Sequence, residues 1–192
     1  MFKIISLTFP PTSTNTIRPE QNDQEHPIPK PKELVSKFTL FLLCGIMPII
    51  CFLIADWWSV YPCDSLSRCC SLFLAIGLTG GFTDLLKLCF PRERPNYDKM
   101  VDFDPKDAMM SFPSGHSSLA STSMLQISLC LVEKNAPYWL TFCPMFVAFL
   151  VAWTRVHDEW HYPVDVCVGA VIGIASVIIT YQIWYVIQCD IG

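Results

Sequence analysis

The chain has 192 residues, of which 52% are hydrophobic and 16% are charged, and its formal net charge is −4. About a quarter of the residues of a soluble domain are charged, so this composition excludes an ordinary soluble globular protein, and its apolar content excludes a disordered one. Binding to nucleic acid requires basic side chains against the phosphate backbone. The negative balance gives that function no support, and we predict no nucleic-acid partner.

The first 37 residues differ in composition from the rest of the chain. They contain six prolines, and Ser, Thr, Asn and Gln are frequent between them. Such a segment has too little apolar surface to fold alone. We therefore predict a flexible N-terminal segment over residues 1–37, followed by a membrane-embedded domain over residues 38–188.

Five apolar runs follow in chain order, at residues 38–55, 69–90, 117–132, 138–153 and 166–188. The first and last are uncharged and long enough to cross the hydrocarbon core as helices. The third is rich in Ser and Thr, so we expect it to face protein rather than lipid, and Gly169 and Gly173 in the last predict close contact with another helix. None of the runs alternates as a spanning strand does. The sequence predicts an all-α, polytopic membrane bundle of about five transmembrane helices.

Two longer polar connections, residues 84–116 and 154–165, lie between these runs. An even number of spans separates them, so both open on the same side of the membrane. Charged side chains at membrane depth are costly and usually functional. The candidate functional residues of the two connections are Lys87, Arg94, Ser114, Gly115, His116, Arg155, His161 and Asp165.

Pro113-Ser114-Gly115-His116 stands directly before the third run, where a helix is expected to begin. Free backbone N–H groups and the positive end of the helix dipole make such a position an anion site. Gly115 allows an anion to approach the backbone, and Ser114 adds a hydroxyl donor. The alternative is a simple helix start with Ser114 as the N-cap.

The second connection ends in His161, Pro163 and Asp165. Pro163 suits the first turn of the fifth helix, which places Asp165 within reach of His161. A carboxylate that holds one ring nitrogen leaves the other free as a nucleophile; the alternative is that Asp165 only complements the helix dipole. Lys87 and Arg94 either bind a phosphoryl group or extend to lipid headgroups.

These motifs together resemble the signature of the type 2 phosphatidic acid phosphatases, also called lipid phosphate phosphatases, which share a fold with vanadium haloperoxidases. The resemblance covers residues 34–188. It rests on Lys87, six residues and Arg94-Pro95, then Pro113-Ser114-Gly115-His116, then Arg155, five residues, His161, three residues and Asp165.

The resemblance implies a metal-independent phosphatase that forms a phosphohistidine and needs no cofactor. It implies that His161 attacks phosphorus, that Asp165 orients His161, and that His116 protonates the leaving oxygen and then activates water. It also implies that the phosphate is bound by Lys87, Arg94, Ser114, Gly115 and Arg155.

The implied partner is a membrane lipid phosphate: phosphatidic acid, lysophosphatidic acid or diacylglycerol pyrophosphate. Residues 111–118 are most similar to the diacylglycerol pyrophosphate phosphatase subgroup. The resemblance is compatible with a homo-oligomer and implies an integral protein of an endomembrane or of the plasma membrane. Its active face would be lumenal or extracellular, whereas the excess of Lys and Arg on the motif side indicates a cytosolic one, and both orientations stay open.

The chain departs from the family pattern at several positions. Thr154 stands where the family usually has Ser, and Pro91 and Glu93 stand where Gly and Pro are common. Two apolar runs precede Lys87, where the family has three spans, so we expect the core to lack the usual first span. These departures favour one alternative function, a catalytically impaired membrane protein of the same fold that binds lipid or a partner.

Two further alternatives come from the residues themselves. His157, His161 and Asp165 are spaced four apart and could line one helix face as metal ligands, although Pro163 interrupts such a helix. The substrate of a phosphatase of this fold could also be a sugar phosphate or an isoprenoid pyrophosphate.

Overall fold

The computed structural model describes residues 32–57 and 65–191. The described residues form α1 (Lys37–Phe41), which continues through a π-helical turn (Leu42–Ile46) into α2 (Met47–Trp57), then α3 (Ser65–Cys89), α4 (Tyr97–Met100), α5 (Pro105–Ala108), α6 (Gly115–Glu133), α7 (Tyr138–His157) and α8 (Pro163–Ile191). Within these ranges the extended pairing is limited to one isolated bridge between Arg92 and Met110. The predicted all-α architecture is confirmed.

Each of the five predicted apolar runs coincides with a long helix. Four of these are long and apolar enough to cross a membrane, namely Lys37–Trp57, Ser65–Cys89, Tyr138–His157 and Pro163–Ile183. The remaining helix, α6, which corresponds to the third run, is less apolar and packs among the other four. Pro163 is the first residue of α8, as its preference for the first helical turn predicted.

α6 is the central helix and packs against α3, α7, α8 and the first span. Its hydroxyl groups are buried against protein: the Thr122 hydroxyl lies 2.7 Å from that of Thr79 on α3, and Ser123 donates to the Cys44 carbonyl at 2.8 Å. Polar side chains inside a membrane must find partners in protein. The prediction that the Ser- and Thr-rich run faces protein is confirmed, and the reason is this set of contacts.

α8 approaches α6 closely at Gly169 and Gly173. A Cβ atom on Gly169 would lie 2.5 Å from the Ser114 carbonyl oxygen, and one on Gly173 would lie 2.3 Å from that of Ser118. Both distances are shorter than a van der Waals contact, so glycine is required for this approach. The small-residue spacing predicted from the sequence is confirmed.

A short segment before α1, residues 32–36, crosses the side of the bundle where the two polar connections lie. The indole of Trp160 donates to the Lys32 carbonyl at 3.1 Å, and the Leu34 N–H donates to the Asp158 carboxylate at 2.7 Å. Residues 1–31 of the predicted flexible segment lie outside the described residues. Residues 32–36 of that segment are described, and they form hydrogen bonds with Asp158 and Trp160 in the second polar connection.

Candidate active site

One cavity collects charged side chains from both polar connections. Its volume is about 180 Å³, smaller than the roughly 300–1,000 Å³ of pockets for drug-sized ligands, so it suits a headgroup rather than a whole lipid. The prediction that both connections open on one side is confirmed. The predicted site residues that line the cavity are Lys87, Arg94, Gly115, His116, Arg155 and His161.

Gly115 and His116, at the start of α6, line the cavity. Ser114 is fully buried, and its hydroxyl accepts a hydrogen bond from the Ser117 N–H at 3.4 Å. The side chain of Ser114 is thus the N-cap of α6, the alternative that the sequence left open. The Lys87 ammonium would lie 3.5 Å from a Cβ atom on Gly115. A cation beside the positive end of a helix is stabilised by an anion between them.

Arg94 is held by several acceptors and is 6% exposed. Its Nε donates to the Asp107 carbonyl and its Nη2 to the Asp107 carboxylate, both at 2.8 Å, while Nη1 donates to the Trp160 carbonyl at 3.2 Å. The guanidinium also lies over the Trp160 ring, 5.0 Å from its centroid. These contacts leave Arg94 one orientation, with Nη1 facing His161.

The contacts of His161 define its tautomer. Nη1 of Arg94 lies 3.3 Å from Nε2, and the Ser111 carbonyl lies 2.6 Å from Nδ1. A guanidinium only donates and a carbonyl only accepts, so Nδ1 carries the proton and Nε2 carries a lone pair. Burial, followed by the charge of Arg94, holds the pKa of His161 well below its ordinary value. The ring is therefore neutral at pH 7, and its unprotonated Nε2 accepts from Arg94.

Asp165 contacts His161 through an intermediary, and the direct hydrogen bond expected from the spacing is not formed. The carboxylate accepts from the Ser111 hydroxyl at 2.6 Å, from the Arg92 guanidinium at 2.6 Å and from the Tyr162 N–H at 3.1 Å. Nδ1 of His161 instead donates to the Ser111 carbonyl at 2.6 Å. Ser111 thus stands between the two residues and contacts both.

Arg155 is 1% exposed and is bound by the segment that precedes α1. Its Nη2 donates to the Val35 carbonyl at 2.9 Å, and its Nη1 lies 3.4 Å from the Glu33 carboxylate. Glu33 also lines the cavity. A carboxylate of the chain itself therefore contacts a guanidinium that the resemblance assigns to phosphate.

His116 is partly buried at the second position of α6 and lines the cavity. Its Nε2 is buried and has no hydrogen-bond partner among the residues that the structure describes. A ring nitrogen in this position can exchange a proton with a group bound in the cavity.

Arg94 lines the cavity although the chain departs from the family pattern on either side of Arg92. The chain pairs in extended form with residues 108–111, since the Arg92 N–H donates to the Met109 carbonyl and the Arg94 N–H to the Ala108 carbonyl. Pro91 and Glu93 are exposed. Alternation along this stretch turns Glu93 away from the two arginine side chains.

The three residues of the metal-site alternative do not converge. His157 ends α7, its Nδ1 lies 3.0 Å from the Asp158 carboxylate, and its ring lies 4.9 Å from that of Trp153 at a tilt of 35°. A turn at residues 158–159 separates it from His161. In the described part of the chain, no three His, Cys, Asp or Glu side chains form a group that could hold a metal ion.

Glu33, Arg92, Asp107 and Ser111 contact the predicted site residues, and sequence reasoning gave none of them a role. Arg92 and Ser111 carried a weak signal, because Arg92 is one of the six residues between Lys87 and Arg94 and Ser111 lies two residues before Pro113. Glu33 carried none, since it lies 122 residues from Arg155.

The helical bundle defines a membrane-embedded protein whose cavity is lined by Lys87, Arg94 and Arg155. Comparison with known proteins agrees: the PAP2 superfamily profile matches residues 68–188. A PA-phosphatase related-family protein of Dictyostelium discoideum is 28% identical over 88% of this chain and 65% of its own length. Lipid phosphate phosphatase 1 of Arabidopsis thaliana is 30% identical over 66% of this chain and 50% of its own length. The crystal structure of Aquifex aeolicus LpxE has a TM-score of 0.48 and 24% identity, covering 76% of this chain and 94% of that one.

The chain belongs to the PAP2 superfamily, because the profile covers more than half of it. The family resemblance inferred from the motifs is confirmed. With its four apolar helices, it is an integral membrane protein. The chain spans between half and two thirds of the length of these two curated relatives.

Proposed function

We propose that this protein dephosphorylates membrane lipid phosphates without a metal ion, through a phosphohistidine on His161. The observation that carries the proposal is the contact of Arg94 with Nε2 of His161 at 3.3 Å. The contact holds a neutral imidazole whose Nε2 accepts from Arg94, and both side chains line a cavity that is also lined by Lys87 and Arg155. A nucleophile beside the groups that bind phosphate is what phosphoryl transfer requires.

The reaction would proceed in two steps. When substrate binds, Arg94 would transfer its N–H from Nε2 of His161 to a phosphoryl oxygen, which frees the Nε2 lone pair. The charge of the bound phosphate would raise the pKa of His116, which burial and the neighbouring cations lower to about 4, so that this ring takes up a proton. In the first step, the Nε2 lone pair attacks phosphorus, the bond from phosphorus to the lipid oxygen breaks, and the protonated His116 donates its proton to that oxygen. In the second, His116 accepts a proton from water, which attacks the phosphohistidine and releases inorganic phosphate. The unpartnered Nε2 of His116 supports this role.

The charge on the phosphoryl oxygens would be balanced by Lys87, Arg94 and Arg155. All three line the cavity, and preorganised cations at the developing charge are the largest contribution to such catalysis. Lys87 would act together with the start of α6, where the two positive features converge on Gly115.

The proposed substrates are phosphatidic acid, lysophosphatidic acid and diacylglycerol pyrophosphate, with diacylglycerol or a related lipid alcohol as product. Met100 and Phe103 line the cavity beside the cations and supply an apolar edge for the glycerol end of a lipid. The name of the Arabidopsis relative, lipid phosphate phosphatase 1, supports this class of substrate.

The test measures phosphate release and protein-bound phosphate together. The protein in detergent micelles with EDTA is mixed with ³²P-phosphatidic acid and quenched in base. We expect steady phosphate release and a protein-bound label that survives base and is lost in acid, because a phosphoramidate is acid-labile.

The matched control is His157→Gln, which alters a histidine that is mostly exposed and should leave both signals unchanged. A label that survives acid but not base would indicate a carboxylate nucleophile and contradict the proposal. An absence of release from folded protein would favour the impaired lipid-binding alternative.

Glu33→Gln is expected to strengthen phosphate binding. The Glu33 carboxylate lies 3.4 Å from Nη1 of Arg155, and both side chains are largely buried. Removing one partner of a buried pair leaves the other charge without compensation, which a bound phosphate would restore, so we expect a gain in affinity of about tenfold or more. The measurement is the inhibition constant of inorganic phosphate, with Glu159→Gln as the exposed control. An unchanged or weaker constant would show that Glu33 does not compete with phosphate.

A further inference from the structure

Asp165 is a fully buried carboxylate whose main charged partner is Arg92. Nη1 of Arg92 lies 2.6 Å from Oδ1, and the Arg92 side chain is 42% exposed. Removing one partner of a buried ion pair leaves a charge without compensation and is strongly unfavourable. The state of the Asp165 carboxylate therefore depends on Arg92, one of the six residues between Lys87 and Arg94 to which the first motif assigns no role.

Arg92, Asp165 and Ser111 form a closed ring of contacts. The Arg92 carbonyl accepts from the Ser111 N–H at 2.9 Å, and the Ser111 hydroxyl donates to Oδ2 of Asp165 at 2.6 Å. The ring is completed by the ion pair between Asp165 and Arg92. Three residues from two separate connections thus fix one another.

This ring holds the nucleophile. The Ser111 carbonyl is the acceptor for Nδ1–H of His161, at 2.6 Å. The Arg92 guanidinium itself is fixed over the ring of Tyr162, the residue after His161, at 4.2 Å from the centroid. Any shift of Arg92 would be transmitted through Ser111 and Tyr162 to the imidazole.

We propose that Arg92 is a positioning residue for phosphoryl transfer: it fixes the Asp165 carboxylate, and through Ser111 the His161 ring, and it compensates the carboxylate charge behind that ring. The inference rests on the proposed function, because it assigns a role in the same reaction. Arg92 touches neither His161 nor the cavity in the described residues, so it acts through the other two.

The charge compensation has a direction that can be measured. Described groups that face His161 are Arg94, Lys87 and His116 on the cavity side and Asp165 behind Ser111. Without Arg92, the negative charge of Asp165 acts on His161 unopposed and favours the protonated ring. The acid limb of the pH profile of kcat/KM, where His161 must be neutral to attack, would then move to higher pH.

The experiment compares Arg92→Gln with Arg92→Lys in phosphatidic acid hydrolysis between pH 4 and 9. Arg92→Gln is expected to lower kcat about tenfold to hundredfold, the range for partners that orient metal-bound histidines, with KM changed less than about threefold. Its acid limb should move up by roughly half to one pH unit. Arg92→Lys, which keeps the charge, should recover most of kcat and the normal profile.

Three outcomes would overturn the inference. A pH profile of Arg92→Gln that superimposes on that of the wild type indicates a merely structural role. An Arg92→Lys variant whose kcat is no higher than that of Arg92→Gln indicates the same. The double variant Arg92→Gln/Asp165→Asn removes both charges and avoids an unpaired one. Its kcat should equal that of Asp165→Asn within about twofold if Arg92 acts through Asp165. A further tenfold loss of kcat would mean that Arg92 acts through another residue.

Lys99→Gln is the matched control, since Lys99 belongs to an exposed ion pair with Glu159 on the same side and should leave kcat, KM and the profile unchanged. A wild type that releases no phosphate overturns the proposed function and this inference with it. Release from the wild type with no effect of Arg92→Gln overturns the inference alone.

Discussion

His161→Asn is expected to abolish phosphate release from phosphatidic acid, with a loss of about 10⁴-fold or more, the scale seen when a catalytic nucleophile is removed. The asparagine amide can still donate to the Ser111 carbonyl, which the His161 ring contacts at 2.6 Å, so the loop should keep its conformation. What disappears is the lone pair of Nε2 beside Arg94. Turnover and the base-stable protein label should therefore be lost together.

Two controls separate loss of chemistry from loss of fold. The variant should elute as wild type in detergent and bind inorganic phosphate with an affinity within a few-fold of the wild type, because Lys87, Arg94 and Arg155 are untouched. Phosphate release within tenfold of the wild type would mean that water attacks phosphorus directly. The phosphohistidine would then be removed from the mechanism.

Gly173→Ala is expected to lower the free energy of unfolding by about 1–3 kcal/mol, the cost of overpacking a tight interior. The new Cβ atom would lie 2.3 Å from the Ser118 carbonyl oxygen and 3.0 Å from Cβ of Ser121. Neither neighbour is the flexible end of a long side chain, so α8 and α6 must move apart. The measurement is thermal unfolding in detergent.

The matched control is Gly81→Ala, which also lies in a spanning helix, α3, but has nothing within 4 Å of its Cβ position. That variant should be neutral or slightly stabilising, since alanine has the higher helix propensity. Equal effects of the two substitutions would contradict the close approach of α6 and α8. Because Gly169 faces Ser114 in the same way, Gly169→Ala should in addition displace the start of α6 and lower activity.

Much of the bundle could be predicted from local properties of the chain. Apolar runs mark spanning segments because the bilayer requires about 20 such residues per helix, and each run became a long helix. Ser and Thr in the third run indicated a helix buried in protein, and Gly169 and Gly173 indicated where its neighbour comes close. Residue type and spacing carry this information without any knowledge of the fold.

The residues of the candidate site could be predicted from the sequence, but the hydrogen bonds between them could not. Six of the eight residues assigned from the motifs line one cavity. The carboxylate of Asp165, however, meets Ser111 and Arg92 where a direct bond to His161 was expected. A difference of a few ångströms in how two connections fold decides which acceptor reaches a ring nitrogen, and spacing along the chain does not specify it.

The sequence alone therefore determined that this is a helical membrane protein with its candidate site residues on one face, because hydropathy, helix-end preferences and the parity of spans are local or additive properties. Only the tertiary structure decided that Glu33 meets Arg155 from 122 residues away and that Ser111 links Asp165 to His161. These contacts depend on how closely α8 lies against α6 and on where each connection folds back. Such distances arise from the packing of the whole bundle.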